Sequence, residues 1–120
     1  MPRKILLVED NPDSREYLSQ LLKVRGYEVR TASDGVEALK VMDTFSPDLI
    51  VSDIMMPRLD GIQLVQTLRN SANYAKIPII TISAYGSGNL DEALNVGANK
   101  ALRKPLDFDC FFRSLKTLLS

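Results

Sequence analysis

The chain contains no histidine. That excludes an imidazole base or metal ligand, a histidine-containing catalytic triad, and a role as a histidine phosphocarrier. A single cysteine, Cys110, excludes an internal disulfide and fits a reducing compartment, so a cytoplasmic location is expected. Net charge is also missing: 15 Lys and Arg balance 15 Asp and Glu. Without an excess of one sign there is no electrostatic drive toward nucleic acid or an anionic membrane. No uncharged stretch is long enough to span a bilayer. The apolar run after Met1-Pro2-Arg3-Lys4 stops at Glu9, too soon for the apolar region of a signal peptide. The chain does have the size and composition of one globular domain, with 120 residues of which 45% are apolar. That suffices for a core without covalent staples, and residues 1–120 are expected to form one domain.

Short runs rich in Ile, Val and Leu alternate with longer segments of helical period, as in βα units around a parallel sheet. Strands are predicted over residues 4–8, 28–32, 49–52, 78–82 and 101–103. A first helix is predicted over 13–25, with Pro12 near its start, Gly26 as its stop, and Tyr17, Leu18, Leu21 and Leu22 as its core stripe. A second begins after Ser33-Asp34-Gly35, carries Val36, Leu39, Val41, Met42 and Phe45, and is closed by Pro47. Further helices are expected over 61–70, 89–96 and 107–119. The last carries Phe108, Phe111, Phe112, Leu115, Leu118 and Leu119; most of its phenylalanines are assigned to the core and one or two to a docking face.

In a parallel α/β sheet the active crevice lies beyond the carboxyl ends of the strands. Those ends supply Glu9 and Asp10, then Asp53, then Ser83, then Lys104. Two carboxylates about 4 Å apart repel by roughly 4 kcal/mol at an effective dielectric near 20, a large share of the about 5–15 kcal/mol that stabilises a domain. Acids gathered in this way point to a site that expects a cation. Asp53 has the chemistry of a nucleophile that forms an aspartyl phosphate. Asp10 and Asp53 offer oxygen ligands to a hard cation such as Mg²⁺, Glu9 offers one through water, and backbone carbonyls of the loop from Asp53 to Met56 offer another. Lys104 and the Ser83 hydroxyl would contact phosphoryl oxygens, and phosphoryl transfer needs little beyond positioning and charge stabilisation.

The segments Ile5-Leu6-Leu7-Val8-Glu9-Asp10-Asn11, Asp48 to Pro57 with Asp60-Gly61, Pro78 to Ala84, Gly97-Ala98-Asn99 and Lys104-Pro105 together resemble the receiver domain of two-component response regulators, over essentially the whole chain. The resemblance implies a doubly wound (βα)5, flavodoxin-like fold with strand order 2-1-3-4-5. It implies not a metabolic enzyme but a phosphorylatable switch that promotes its own phosphorylation and dephosphorylation. Asp53 would accept the phosphoryl group from a histidine kinase or histidine phosphotransfer protein. Glu9, Asp10, Asp53 and the Met55 carbonyl would hold Mg²⁺ or Mn²⁺. Ser83 would be the switch hydroxyl and Lys104 the phosphoryl contact, with a cis Lys104–Pro105 peptide. Output would pass to a protein target by conformational change or contact, without direct binding of nucleic acid or membrane.

One position departs from the family pattern. Ala101 stands three residues before the lysine, where the family usually has Tyr or Phe; the switch is therefore expected to work without an aromatic rotamer, through a smaller change or one in the loop after the fourth strand. Met55 and Tyr85 occupy positions that tune hydrolysis in the family. A phosphorylation-independent interaction module is the alternative; such degenerate receivers usually lose an acid or the lysine, and both are kept here, while Ala101 leaves the alternative open. An aspartate-nucleophile phosphatase needs a second carboxylate two residues after the nucleophile, where Met55 stands. A flavin-binding flavodoxin-like protein wants a Ser/Thr-rich loop after the first strand, where Glu9-Asp10 would repel phosphate. A stand-alone regulator and a segment of a longer regulator or hybrid kinase both accommodate the chain.

Overall fold

A computed structural model describes residues 2–84 and 90–120. Strands and helices alternate along the chain: β1 (Lys4–Val8), α1 (Pro12–Val24), β2 (Glu28–Ala32), α2 (Gly35–Val41), β3 (Leu49–Asp53), α3 (Gly61–Arg69), β4 (Ile79–Ser83), α4 (Leu90–Val96), β5 (Lys100–Arg103) and α5 (Phe108–Leu119). The strands form one parallel sheet in the order β2-β1-β3-β4-β5. β1, β3 and β4 lie inside the sheet and are covered on both faces, which is why they read as continuous apolar runs.

Alternation along each strand divides the core in two. Leu6, Val8, Ile50 and Ile79 pack with Ala38, Met42, Leu64, Val65, Leu68 and Ala93 of the α2, α3 and α4 side. Ile5, Leu7, Leu49, Val51, Ile80 and Ile82 pack with Leu18 and Leu22 of α1 and with Phe111, Phe112, Leu115 and Leu119 of α5. Among the described residues no helix is long and apolar enough to cross a membrane.

Three details differ from expectation. Tyr17 is exposed rather than part of the α1 stripe. Leu18 and Leu22, one turn apart, take the sheet-facing line, and Tyr17 is left at the rim with its ring edge-on to Phe108 at 6.1 Å. α2 ends at Val41, and Met42 and Phe45 enter the core from the turn that follows. α2 begins at Gly35 rather than after it, with Asp34 as its N-cap accepting from Glu37 N–H, and Asp107 lies just outside α5 as the N-cap accepting from Cys110 N–H.

Candidate functional site

Strand register assembles the site. Val8 pairs with Ser52, so the next residues, Glu9 and Asp53, end neighbouring strands side by side. Asp53 pairs with Ile82, and Ser83 is one residue further along β4. Ser83 pairs with Arg103, and Lys104 follows, its N–H donating to the Ser83 carbonyl at 2.8 Å. α3 is brought against this edge by Gly61, where a Cβ would lie 2.3 Å from the Asp53 carbonyl oxygen. Only glycine permits so close an approach.

Carboxylate oxygens of Glu9, Asp10 and Asp53 lie within 4.8 Å of one another. Glu9 and Asp53 are buried and Asp10 is exposed. The Lys104 ammonium bridges the buried pair, with Nζ 3.2 Å from Asp53 Oδ2 and 3.5 Å from Glu9 Oε2. The strand end is further tied by Arg15 Nη1, which donates to the Glu9 carbonyl at 2.9 Å, and by Asn11 N–H, which donates to Glu9 Oε1 at 3.3 Å. The Lys104–Pro105 peptide is cis. A cavity of about 170 Å³ opens beside the cluster between α1 and the β5–α5 loop, with Glu9, Tyr17, Lys104, Pro105 and Phe108 among its walls.

Burial is the main cause that pushes the Asp53 carboxyl up, from 3.8 to about 8; the hydrogen bond and negative charge of Glu9 add to it, and Lys104 offsets only part. Burial pulls the Lys104 ammonium down, but Asp53 and then Glu9 more than reverse this and hold it above its ordinary value. One lysine is too little positive charge for three carboxylates, so without a further cation Asp53 keeps its proton near neutrality. This donor set, hard oxygens with a charge deficit, fits a small divalent cation.

Ser83 is fully buried at the adjoining strand end, its hydroxyl donating to the Ala84 carbonyl at 3.3 Å. Met55 stands in the loop after β3 with an exposed side chain. Ala101 is half-buried in β5 and packs toward the α2–α3–α4 side of the core. Tyr85 lies outside the described residues.

Two residues near the site were not singled out from the sequence. Arg58, in the loop after β3, pairs with the buried carboxylate of Asp34: Nε lies 2.8 Å from Oδ2, and Nη2 meets the same oxygen. Asp34 is held below its ordinary value first by the Glu37 N–H, against burial, and then by Arg58. The spacing Asp34-x-x-Glu37 is a capping signal in the sequence, but nothing local marks Arg58 as its partner.

The response regulator receiver domain family model matches residues 5–116. Response regulator MprA of Mycobacterium sp. (strain KMS) is 38% identical over 99% of this chain and 51% of its own length. The chain thus spans about half the length of such curated relatives. Chemotaxis response regulator CheY4 of Vibrio cholerae superposes with a TM-score of 0.88 at 32% identity, covering 99% of this chain and 100% of that one. The receiver domain of a sensor histidine kinase from Pseudomonas aeruginosa, solved with a magnesium ion coordinated in its active site cleft, gives 0.90 at 31% identity over 99% and 98%.

Proposed function

The chain belongs to the response regulator receiver domain family, and on that premise we propose that residues 1–120 act as one phosphorylatable switch of a two-component phosphorelay. The observation that carries this is the convergence of Glu9, Asp10, Asp53 and Lys104 at one edge of the sheet. Asp53 is the nucleophile. One of its carboxylate oxygens attacks the phosphorus of a phosphohistidine on a histidine kinase or phosphotransfer protein. The P–N bond breaks as the new O–P bond forms, and the leaving imidazole keeps the electron pair.

Glu9, Asp10, Asp53 and the Met55 carbonyl would hold Mg²⁺, or Mn²⁺ in its place. When bound, the ion neutralises the carboxylates and the charge that develops on the phosphoryl oxygens. Lys104, now paired with Asp53 and Glu9, would transfer its ammonium contact to a phosphoryl oxygen. Ser83 would exchange the Ala84 carbonyl for another phosphoryl oxygen and so report the modification to the residues that follow it. The output is a change in shape or in protein contacts rather than turnover of a metabolite. The reducing compartment suited to Cys110 makes the cytoplasm the working location.

Incubation of the chain with acetyl phosphate and Mg²⁺, followed by intact-mass measurement, tests this. One phosphoryl adduct is expected, absent without divalent metal and absent in Asp53→Asn. An unmodified parent chain in the presence of Mg²⁺ would overturn the proposal.

A further inference from the structure

The loop from Ile54 to Asp60 carries Met55, and it is fastened at several points. Ile54 N–H donates to the Ile82 carbonyl at 2.9 Å, and Gly61 N–H returns to the Ile54 carbonyl at 2.8 Å. Gly35 N–H, at the start of α2, donates to the Leu59 carbonyl at 3.0 Å. A Cβ on Gly35 would lie 2.5 Å from that oxygen, so the loop rests directly on the α2 backbone. A further fastening is the ion pair of Arg58 with Asp34.

This pair has two uncommon properties. Arg58 has φ of 66°, the only described residue other than glycine at positive φ, a conformation that costs a side-chain-bearing residue roughly 1–2 kcal/mol. Asp34 is buried and has already satisfied its role as N-cap through Oδ1, which accepts from Glu37 N–H at 2.8 Å. Its second oxygen is given over to the arginine. A helix cap does not require that partner, and a surface loop does not require a strained arginine. Together they fix the middle of the loop relative to α2 and hence to the carboxyl edge of the sheet.

We infer that Arg58 and Asp34 are positioning residues that clasp the loop after β3 so that its Met55 carbonyl is preset for the divalent cation. The inference rests on the proposed metal site. Without the clasp, part of the binding free energy would go to ordering the loop, and affinity for the cation would fall. Outer partners of metal ligands commonly change affinity by this route.

The test is calorimetric titration of the 120-residue chain with Mg²⁺, compared with Arg58→Ala, Arg58→Gly, Asp34→Asn and the Arg58→Ala/Asp34→Asn pair. Each single change should weaken Mg²⁺ binding about 5- to 20-fold, within or near the range seen for such outer contacts. The double change should be no weaker than either single one, since both break the same link. Arg58→Gly separates positioning from folding: glycine relieves the positive φ, so its unfolding midpoint should match or exceed that of Arg58→Ala while its loss of affinity is the same. Asp34→Asn retains an N-cap oxygen for Glu37. Parental affinity in all variants overturns the clasp, as do losses that add in the double variant or vanish in Arg58→Gly. If the parent chain itself binds no Mg²⁺, the metal site falls and the clasp's role falls with it. A parent that binds beside variants that bind equally well removes the clasp alone.

Discussion

At the scale of single residues, burial and the neighbouring Glu9 make a charged Asp53 costly. In metal-free protein the Asp53 carboxyl has its midpoint at about 8, against 3.8 in an unconstrained setting. Between those values the folded state binds more protons than the unfolded state, so this group's contribution falls as pH rises through that window and is lost above it. Asp53→Asn removes the titration. In EDTA the variant should be the more stable by about 1–3 kcal/mol at pH 8.5, after allowance for solvent screening, and the advantage should shrink as pH falls toward 4. Saturating Mg²⁺ should close most of the gap. Urea melts across this range measure the difference; an advantage independent of pH would contradict the assignment. These acids were legible because a parallel sheet leaves little choice: a polar residue that ends a buried strand must stand at the carboxyl edge. Arg58 was not legible, because its partner is 24 residues away and no propensity places an arginine at positive φ. Tyr17 was misplaced for a related reason. Helical period gives a face to within about one residue, and the packing of α5 decides which side of that face is covered.

At the scale of elements, the end of the sheet opposite the site has its own fastening. Arg69, the last residue of α3, donates from Nε to the Gly97 carbonyl at 2.9 Å and from Nη1 to the carbonyls of Ala75 at 3.1 Å and Ile77 at 2.8 Å. Nη2 reaches Asn99 Oδ1 at 3.0 Å, the same oxygen that accepts from Ile79 N–H at 2.8 Å. Burial lowers its pKa. No carboxylate contributes to these bonds; the guanidinium serves as a multiple donor to carbonyls at the entry to β4 and the exit of α4. Arg69→Ala leaves several partly buried acceptors without a donor and should cost about 2–3 kcal/mol. In urea the midpoint should fall with little change in slope. Mg²⁺ affinity should be unchanged, because Asp53 meets the other end of α3. Altered affinity would mean that the two ends of the helix are coupled. The existence and order of the elements were readable from apolar period and turn residues, including the short β5. Their ends shifted by a residue or two where caps decide, and α2 stopped early because Met42 and Phe45 reach the core without continuing the helix.

At the scale of the whole molecule, zero net charge conceals a polarity. Acids occupy first turns, with Asp13 in α1, Glu37 in α2, Asp91 and Glu92 in α4 and Asp109 in α5; bases occupy last turns, with Lys23, Lys40, Arg69 and Lys116. In this topology helices begin where parallel strands end, so the pattern complements the helix dipoles and also makes the edge that bears Asp53 acidic. In the proposed function a divalent cation and a phosphoryl group would change the charge of that edge most, and the change would be transmitted from there. Ala101 limits the route. It is half-buried in β5, three residues before Lys104, and a methyl group has no alternative rotamer to adopt. The expected response is therefore short in range. In amide spectra of phosphorylated against unmodified chain, the large shifts should belong to residues around Asp53, Ser83 and Lys104 and to the segment 85–89, with small ones on the outer surfaces of α4, β5 and α5. Ala101→Tyr supplies a ring that can change rotamer and should extend the shifts across β5 into α4 and α5. Large shifts over those three elements in the parent chain would show that the signal leaves the site by another path. An unchanged pattern in Ala101→Tyr would show that the side chain at 101 does not set the range.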